Sequence, residues 1–229
     1  MIPAQQGRVG RLESMPGYQI AANAQRWHLE PLWAGETAVI VAGGPSIRSM
    51  NLGLLRTAEC RIIAVNDSYI ILPWADCLYF CDTAWWTEHQ ERVRAEFRGE
   101  WIIKGGAGVA GVHNLAFTGQ QGLDLEPWAI RHGSNSGYQA INVAVHFGVE
   151  RIVLVGYDMR VAGDGRTHWH ANRSNSNGYA QVLAQAMLPH FSTLVEPLRG
   201  IGIDVINATP DSALTHWRYE PLEEALWQR

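Results

Sequence analysis

Short apolar runs alternate with longer amphipathic segments along the chain from residue 37 onward. The runs are rich in Val and Ile, and each ends at a small or polar cluster. Such runs are typical of strands that are buried on both faces of a sheet. They predict six strands, at residues 37–42, 61–65, 76–80, 101–104, 151–155 and 203–206.

Helical spacing of apolar residues marks the segments between these runs. It predicts helices over residues 84–97, 136–147 and 177–199, and a turn or helix over residues 220–227. Pro189 and Pro197 are expected to kink or break the third of these, because proline cannot donate the helical hydrogen bond. Residues 1–36 show no clear period, and we interpret them as an N-terminal extension with a short helix near 18–27. Residues 37–229 are then a single domain.

The alternation of strands and helices predicts the fold class. It is typical of an α/β, doubly wound, mostly parallel sheet (Rossmann-like) with helices on both faces. A chain of 229 residues is long enough for one such domain. In these sheets ligands bind beyond the carboxyl ends of the strands. The polar clusters that follow the predicted strands are therefore expected to converge on one edge.

Composition excludes several classes of protein. Hydrophobic residues make up 47% of the chain and charged residues 17%, which argues against disorder. Lys and Arg total 18 against 22 Asp and Glu, and this acidic balance argues against a general nucleic-acid or anionic-membrane binder. No apolar run approaches the length of a membrane span. The odd, sparse cysteines Cys60, Cys77 and Cys81 predict reduced thiols in a cytoplasmic protein without a zinc site.

Two glycine-containing turns are candidates for contact with a ligand. The first predicted strand runs into Gly43-Gly44-Pro45-Ser46, where missing side chains let the backbone approach a ligand closely. It matches neither the dinucleotide fingerprint nor the Walker A loop. Asn135-Ser136-Gly137 opens a predicted helix, where amides and hydroxyls suit a phosphate or ribose. The alternatives are a plain tight turn and simple helix capping.

The densest polar cluster covers residues 156–170. Histidine is the usual general base near neutral pH, and arginine suits a developing phosphate charge. A metal held by the two histidines with Asp164, and a solvated loop without chemistry, are the alternatives. The candidate residues of this cluster are Asp158, Arg160, Arg166, His168 and His170.

The motif series resembles the bacterial lipooligosaccharide sialyltransferases, a Rossmann-like glycosyltransferase superfamily that uses a CMP-sugar donor. The motif series also resembles that of small phage- and prophage-encoded proteins of unknown role. The likeness covers residues 37–217 in colinear order. It lies in segments 39–47, 64–69, 135–144, 148–158, the histidine-bearing loop and 208–214.

This resemblance implies a nucleotide-sugar donor, an acceptor hydroxyl and a set of site residues. A histidine in the loop after Asp158 would be the general base; His170 fits that position best and His168 second. Arg160 and Arg166 would hold the leaving phosphate. The residues expected to line the nucleotide are Gly43, Gly44, Pro45, Ser46, Asn66, Asp82, Asn135, Ser136, Gly137 and Asp158.

The chain departs from this family at two places. The family has an Asn where Gly43 stands, so one nucleotide contact is expected to be missing. It supports the leaving phosphate with two tyrosines six residues apart, and Arg160 and Arg166 fill that spacing here. Arginines suit a diphosphate at least as well as a monophosphate, so a UDP- or GDP-sugar is an alternative donor. No tightly bound cofactor is expected, and a magnesium requirement is left open.

Two other functions are compatible with the sequence. The Gly-Pro-Ser turn also looks like that of the archaeal pterin diphosphokinases, which transfer diphosphate from ATP and need magnesium; Asp82 and Asp158 would then be candidate ligands. The other is a non-catalytic nucleotide-binding protein, or a phage structural or host-interaction protein in the host cytoplasm. The acceptor is left open, and a homo-oligomer is compatible with the sequence.

Overall fold

The computed structural model describes residues 27–106, 108–170 and 178–227, and these ranges form one eight-stranded, all-parallel sheet. The predicted helix at 18–27 lies outside them, apart from Trp27. The order across the sheet is β6-β5-β4-β3-β2-β1-β7-β8. The strands are β1 Thr37–Val41, β2 Arg61–Val65, β3 Cys77–Phe80, β4 Trp101–Gly105, β5 His113–Phe117, β6 Ala129–Ile130, β7 Arg151–Val155 and β8 Asp204–Asn207.

Helices connect the strands and cover both faces of the sheet. Three short 3₁₀ helices follow β1 and β2, at Pro45–Ser49, Leu52–Arg56 and Asn66–Ile70. The longer helical segments are α1 Thr83–Glu96, α2 Ser136–His146, α3 Tyr179–Gln181, a π-helical stretch Val182–Met187, α4 Leu188–Gly200 and α5 Leu222–Trp227. None of the described helices is long and apolar enough to cross a bilayer.

The predicted doubly wound fold is confirmed by the way that strand side chains alternate between two cores. Ala38 and Ile40 of β1 belong to one hydrophobic cluster, together with residues of α2 and α4. Val39 and Val41 belong to a second cluster on the other face, with residues of α1 and α5. Successive side chains of a strand point to opposite faces, so a strand that is apolar throughout needs helices on both sides.

The six predicted strands are confirmed, with each end within one residue of the observed one, but β5 and β6 were not predicted. They lie at the far edge of the sheet. The sequence of β5 is HNLAF, and four of its five residues are only partly buried. β6 has two residues. Polar, very short edge strands lack the continuous apolar run that marks a central parallel strand.

Pro189 and Pro197 were expected to kink or break the long helix, and no break occurs; a π-helical stretch precedes Pro189 instead. Among the described residues 179–200 the chain stays helical, and the π-helical stretch ends just before α4 begins. Pro189 lies in the first turn of α4, where its missing N–H is tolerated, and Pro197 lies inside that helix. The wider π turn before Pro189 is a usual way to absorb a disturbed hydrogen-bond ladder.

The strand order creates a crevice between β1 and β7. From β1 the chain moves outward through β2 to β6, and it then returns to the other side of β1 with β7 and β8. This reversal is the topological switch point, and the two connections that leave β1 and β7 diverge there. The turn of Gly43-Gly44-Pro45-Ser46 and the loop that begins at Gly156 are therefore neighbours at the carboxyl edge.

Candidate active site

The turn after β1 and the loop after β7 are fastened to each other through Asp158. Ser46 donates two hydrogen bonds to its carboxylate, from the backbone nitrogen at 3.0 Å and from Oγ at 2.7 Å. The nitrogen of Gly44 donates to the carbonyl oxygen of Gly156 at 2.9 Å. A Cβ on Gly44 would lie 1.9 Å from Oδ2 of Asp158. This close approach explains the glycine, and both oxygens of Asp158 serve the turn itself.

Asp158 is a buried carboxyl with only 6% of its surface exposed. Burial raises its pKa above the ordinary value, while the hydrogen bonds from Ser46 and the charge of Arg160 act in the opposite direction. The net direction is upward, so the ionised form is disfavoured in the fold. Asp158 therefore stabilises the turn through hydrogen-bond geometry more than through its charge.

We expect Asp158→Asn to leave the free energy of unfolding at pH 7 within about 1 kcal/mol of wild type, because an amide can make both bonds to Ser46. Because the pKa of Asp158 is raised in the fold, its contribution to the free energy of unfolding is largest below the unfolded pKa of about 3.9. This contribution is lost as the pH rises through the folded pKa. Asparagine does not titrate, so the variant shows no such decline in stability. Urea unfolding at pH 4 and pH 7 checks it, and a variant that loses stability more steeply than wild type over that range would contradict it.

A cleft lined by three arginines, which we call the arginine cleft, opens beside this turn. Its volume is about 260 Å³, and Arg48, Arg160 and Arg166 line it together with Pro45 and Ser46. Arg48 was not predicted, although it follows the turn by only two residues. The arrangement brings the predicted Arg160 and Arg166 to the predicted turn, and guanidinium groups in this number suit a phosphate or diphosphate.

Carboxylates at the rim partly neutralise the arginine cleft. Nη2 of Arg160 lies 3.6 Å from Oδ2 of Asp211, and Nε of Arg166 lies 3.2 Å from Oδ2 of Asp164. Both acids are well exposed to water, and Arg160 is half-exposed. Exposed ion pairs of this kind contribute little and exchange partners easily, so a ligand phosphate can compete for the guanidinium groups.

A second group of side chains, the histidine–aspartate cluster, lies beyond β2 and at the start of α1. It consists of Asp67, Trp85, His89 and His170. The carboxylate of Asp67 accepts a 2.7 Å hydrogen bond from Nε1 of Trp85. Nε2 of His170 lies 2.8 Å from its Oδ2, and Nε2 of His89 lies 3.4 Å from its Oδ1. Of these, only His170 was predicted as a site residue.

His168 and its neighbours join the two groups. The backbone nitrogen of Trp169 donates to the carbonyl oxygen of Gly43 at 3.0 Å, and Nη1 of Arg48 donates to the carbonyl oxygen of Trp169 at 3.4 Å. A Cβ on Gly43 would lie 3.2 Å from the ring of His168. An Asn at this position, as in the resembling family, would have to displace that ring. Gly43 thus leaves room for the ring of His168.

Asn66, predicted to contact the nucleotide, has an unusual local structure. It follows β2 directly and has a φ of 50°, in the left-handed region that few residues other than glycine adopt. Its Oδ1 is buried, and no described residue donates to it. An orphaned acceptor costs free energy unless it is paired, so this oxygen fits a hydroxyl or N–H group of a ligand.

The remaining predicted nucleotide residues are placed at helix starts. Asn135 caps α2 by accepting from the nitrogens of Gly137 at 2.7 Å and Tyr138 at 3.1 Å. Asp82 caps α1 in the same way, accepting from Ala84. Ser136 Oγ lies 3.2 Å from Sγ of Cys81, whose pKa is raised by burial. The capping alternative is thus confirmed for Asn135, and Asp82 is also found to be a helix cap; nucleotide contact stays a prediction for both.

Within the described ranges, no three His, Cys, Asp or Glu side chains lie close enough together to hold a metal ion. His168, His170 and Asp164, the alternative metal ligands, therefore do not form a metal site in the described ranges. Asp164 pairs with Arg166, and His170 pairs with Asp67. Asp82 and Asp158, considered as magnesium ligands, are engaged by the start of α1 and by Ser46.

Comparison with solved structures places the fold. No protein-family model and no curated protein matches the chain. The Maf glycosyltransferase from Magnetospirillum magneticum AMB-1 superposes with a TM-score of 0.56 at 13% identity, over 90% of this chain and 36% of that one. The sialyltransferase CstII from Campylobacter jejuni, in complex with CMP-3FNeuAc, superposes with a TM-score of 0.47 at 13% identity, over 80% of this chain and 85% of that one. The chain spans about a third of the Magnetospirillum protein, and it shares the fold of that part of it.

Proposed function

We propose that the protein is a glycosyltransferase that moves a sugar from a nucleotide-sugar donor to an acceptor hydroxyl. One observation carries the proposal: the arginine cleft and the histidine–aspartate cluster lie at the same carboxyl edge, joined through residues 166–170. An anion site near an imidazole base suits transfer from a sugar phosphate, because one stabilises the leaving group and the other takes the acceptor proton. The likeness in fold to a glycosyltransferase supports the proposal without deciding the chemistry.

In the proposed reaction, the acceptor oxygen forms a bond to the anomeric carbon as the bond from that carbon to the phosphate oxygen breaks. The electron pair of the broken bond leaves with the nucleotide, whose growing negative charge Arg160 and Arg166 stabilise. His170 takes the proton of the acceptor hydroxyl. The orphaned Oδ1 of Asn66 accepts a hydrogen bond from the donor nucleotide.

A panel of ligands tests donor binding directly. CMP, UDP, GDP and ADP, with their sugar derivatives, are each added to the wild-type protein in a thermal-shift assay. A ligand at 100 times its Kd stabilises the fold by about 2.7 kcal/mol, a shift of about 5–10 °C for a domain of this size. We expect one nucleotide class to give this shift, and a flat panel would contradict the proposal.

The paired variant Arg160→Gln/Arg166→Gln is expected to weaken the responding ligand about 10²–10⁴-fold, because two charge-assisted hydrogen bonds are lost and each contributes about 1.5–3 kcal/mol. The matched control is Arg98→Gln/Arg199→Gln. Arg98 follows α1 and Arg199 ends α4, so both lie at the opposite, amino edge of the sheet. Titration calorimetry compares the two pairs, and equal losses of affinity would place the ligand elsewhere.

A further inference from the structure

The carboxylate of Asp67 is held in one orientation by its surroundings. Asp67 follows β2 in the short helix Asn66–Ile70, and only 7% of its surface is exposed. A buried carboxylate is costly unless it accepts hydrogen bonds. Nε1 of Trp85 donates to Oδ1 at 2.7 Å, and the Trp85 ring is itself buried. Trp85 therefore fixes the carboxyl plane and leaves Oδ2 directed to another partner.

His170 is that partner. Its Nε2 is buried and lies 2.8 Å from Oδ2 of Asp67, although the ring is not aligned for a standard hydrogen bond. Catalytic hydrogen bonds are often poorly aligned without substrate and tighten when it binds. Because one ring nitrogen faces the carboxylate, the other, Nδ1, points away from it. The geometry thus assigns different tasks to the two nitrogens.

His89 supports the same carboxylate from the other side. Its Nε2 lies 3.4 Å from Oδ1 of Asp67, and its ring stacks on that of Trp85 with centroids 4.6 Å apart. Its Nδ1 lies 3.2 Å from the hydroxyl of Tyr69. These contacts restrict both His89 and Trp85, so the carboxylate of Asp67 has little freedom to turn away from His170.

We propose that Asp67 is a positioning residue that keeps the proton of His170 on Nε2, so that Nδ1 is the atom that accepts the acceptor proton. The inference rests on the proposed function. When Nδ1 takes the proton, the ring becomes an imidazolium, and the carboxylate of Asp67 stabilises it through Nε2–H. The proton then leaves to water, and no group is oxidised or reduced.

Asp67→Asn keeps the shape of the side chain but removes its negative charge and one of its acceptor atoms. Oδ1 of the asparagine can still accept from Trp85, which places the amide nitrogen where Oδ2 was. That nitrogen can only donate, so Nε2 of His170 must accept and the proton moves to Nδ1. The base is then lost although the side chains keep their places. We expect kcat to fall about 10²–10⁴-fold with the donor KM within about threefold of wild type.

Asp76→Asn is the matched control. Asp76 is less buried than Asp67, but its carboxylate is likewise held by a hydrogen bond, since its Oδ2 accepts from the nitrogen of Ile62 at 2.7 Å. It directly precedes β3 and so lies at the amino edge of the sheet, away from the site. The same substitution there is expected to change kcat less than about twofold. Equal losses of kcat in the two variants would overturn the assignment of Asp67.

The tautomer of His170 supplies a readout that does not depend on activity. ¹⁵N NMR of the imidazole nitrogens, with the His170 signals identified by their loss in His170→Gln, is expected to show the proton on Nε2 in wild type and on Nδ1 in Asp67→Asn. A wild-type proton on Nδ1 overturns the inference even where Asp67→Asn fails to fold. If no nucleotide sugar is turned over, the proposed function is wrong. The NMR experiment still shows whether Asp67 keeps the proton of His170 on Nε2.

Discussion

His170→Gln is expected to lower kcat for sugar transfer about 10²–10⁴-fold, the usual contribution of a positioned general base. Glutamine has nearly the reach of histidine but cannot take a proton near neutral pH. Donor affinity is expected to stay close to wild type, because the arginine cleft has its own lining residues and His170 is not among them. Initial rates of transfer and calorimetric donor binding, measured on the same preparation, separate the two effects.

The comparison with His168→Gln decides which histidine is the base. The ring of His168 packs against Gly43, and its Nδ1 lies 2.9 Å from Oγ1 of Thr167. We therefore expect a smaller loss of kcat, from disturbance of the loop. His28→Gln, at an exposed residue paired with Glu30, is the matched control and should be neutral. A large loss in His168→Gln with a near-normal His170→Gln would reverse the assignment.

Gly44→Ala is expected to destabilise the fold by about 2–4 kcal/mol and to abolish donor binding. The added Cβ would lie 1.9 Å from Oδ2 of Asp158 and 2.4 Å from the carbonyl oxygen of Gly156. The backbone of Gly44, with φ −63° and ψ 150°, suits any residue, so the effect is purely steric. The oxygen of Gly156 is backbone, and the carboxylate of Asp158 is buried and bound to Ser46, so the turn must separate from the loop after β7.

Gly163→Ala is the control for this substitution. Gly163 also lines the arginine cleft, yet a Cβ there would meet no atom within 4 Å. Its free energy of unfolding is expected to stay within about 0.5 kcal/mol of wild type. Urea unfolding of both variants, followed by the donor titration, measures the difference. Similar stability for the two alanine variants would show that Asp158 does not hold the turn as described.

Much of the fold could be predicted because the central strands are apolar on both faces. Such strands make the contrast between buried runs and polar ends visible in the residues themselves, as at residues 151–155 before Gly156. The edge strands β5 and β6 could not be found, since HNLAF is half polar and Ala129–Ile130 is too short to carry a period. The π-helical stretch before Pro189 depends on how the whole helix accommodates a proline, which local spacing does not encode.

The candidate site could be predicted only where its residues follow strands or share one loop. Arg160, Arg166 and Ser46 meet because β1 and β7 are neighbours, and that adjacency follows from the sheet. Asp67 and His89 were missed, because they approach His170 only after β2, α1 and the loop after β7 are packed. The polar Asn-Asp-Ser after β2 was a signal for Asp67, whereas nothing local distinguishes His89 on its helix.

Nucleotide release by the wild-type protein distinguishes sugar transfer from nucleotide binding and from diphosphate transfer. CMP-, UDP- and GDP-sugars and ATP are each incubated with the protein, with and without magnesium, and the freed nucleotide is measured. If the protein transfers a sugar, one class of nucleotide sugar releases its nucleotide, and His170→Gln loses this release. Binding without release from any donor would instead indicate a nucleotide-binding protein. Release from ATP alone, with strict dependence on magnesium, would indicate diphosphate transfer, and either result would rule out sugar transfer.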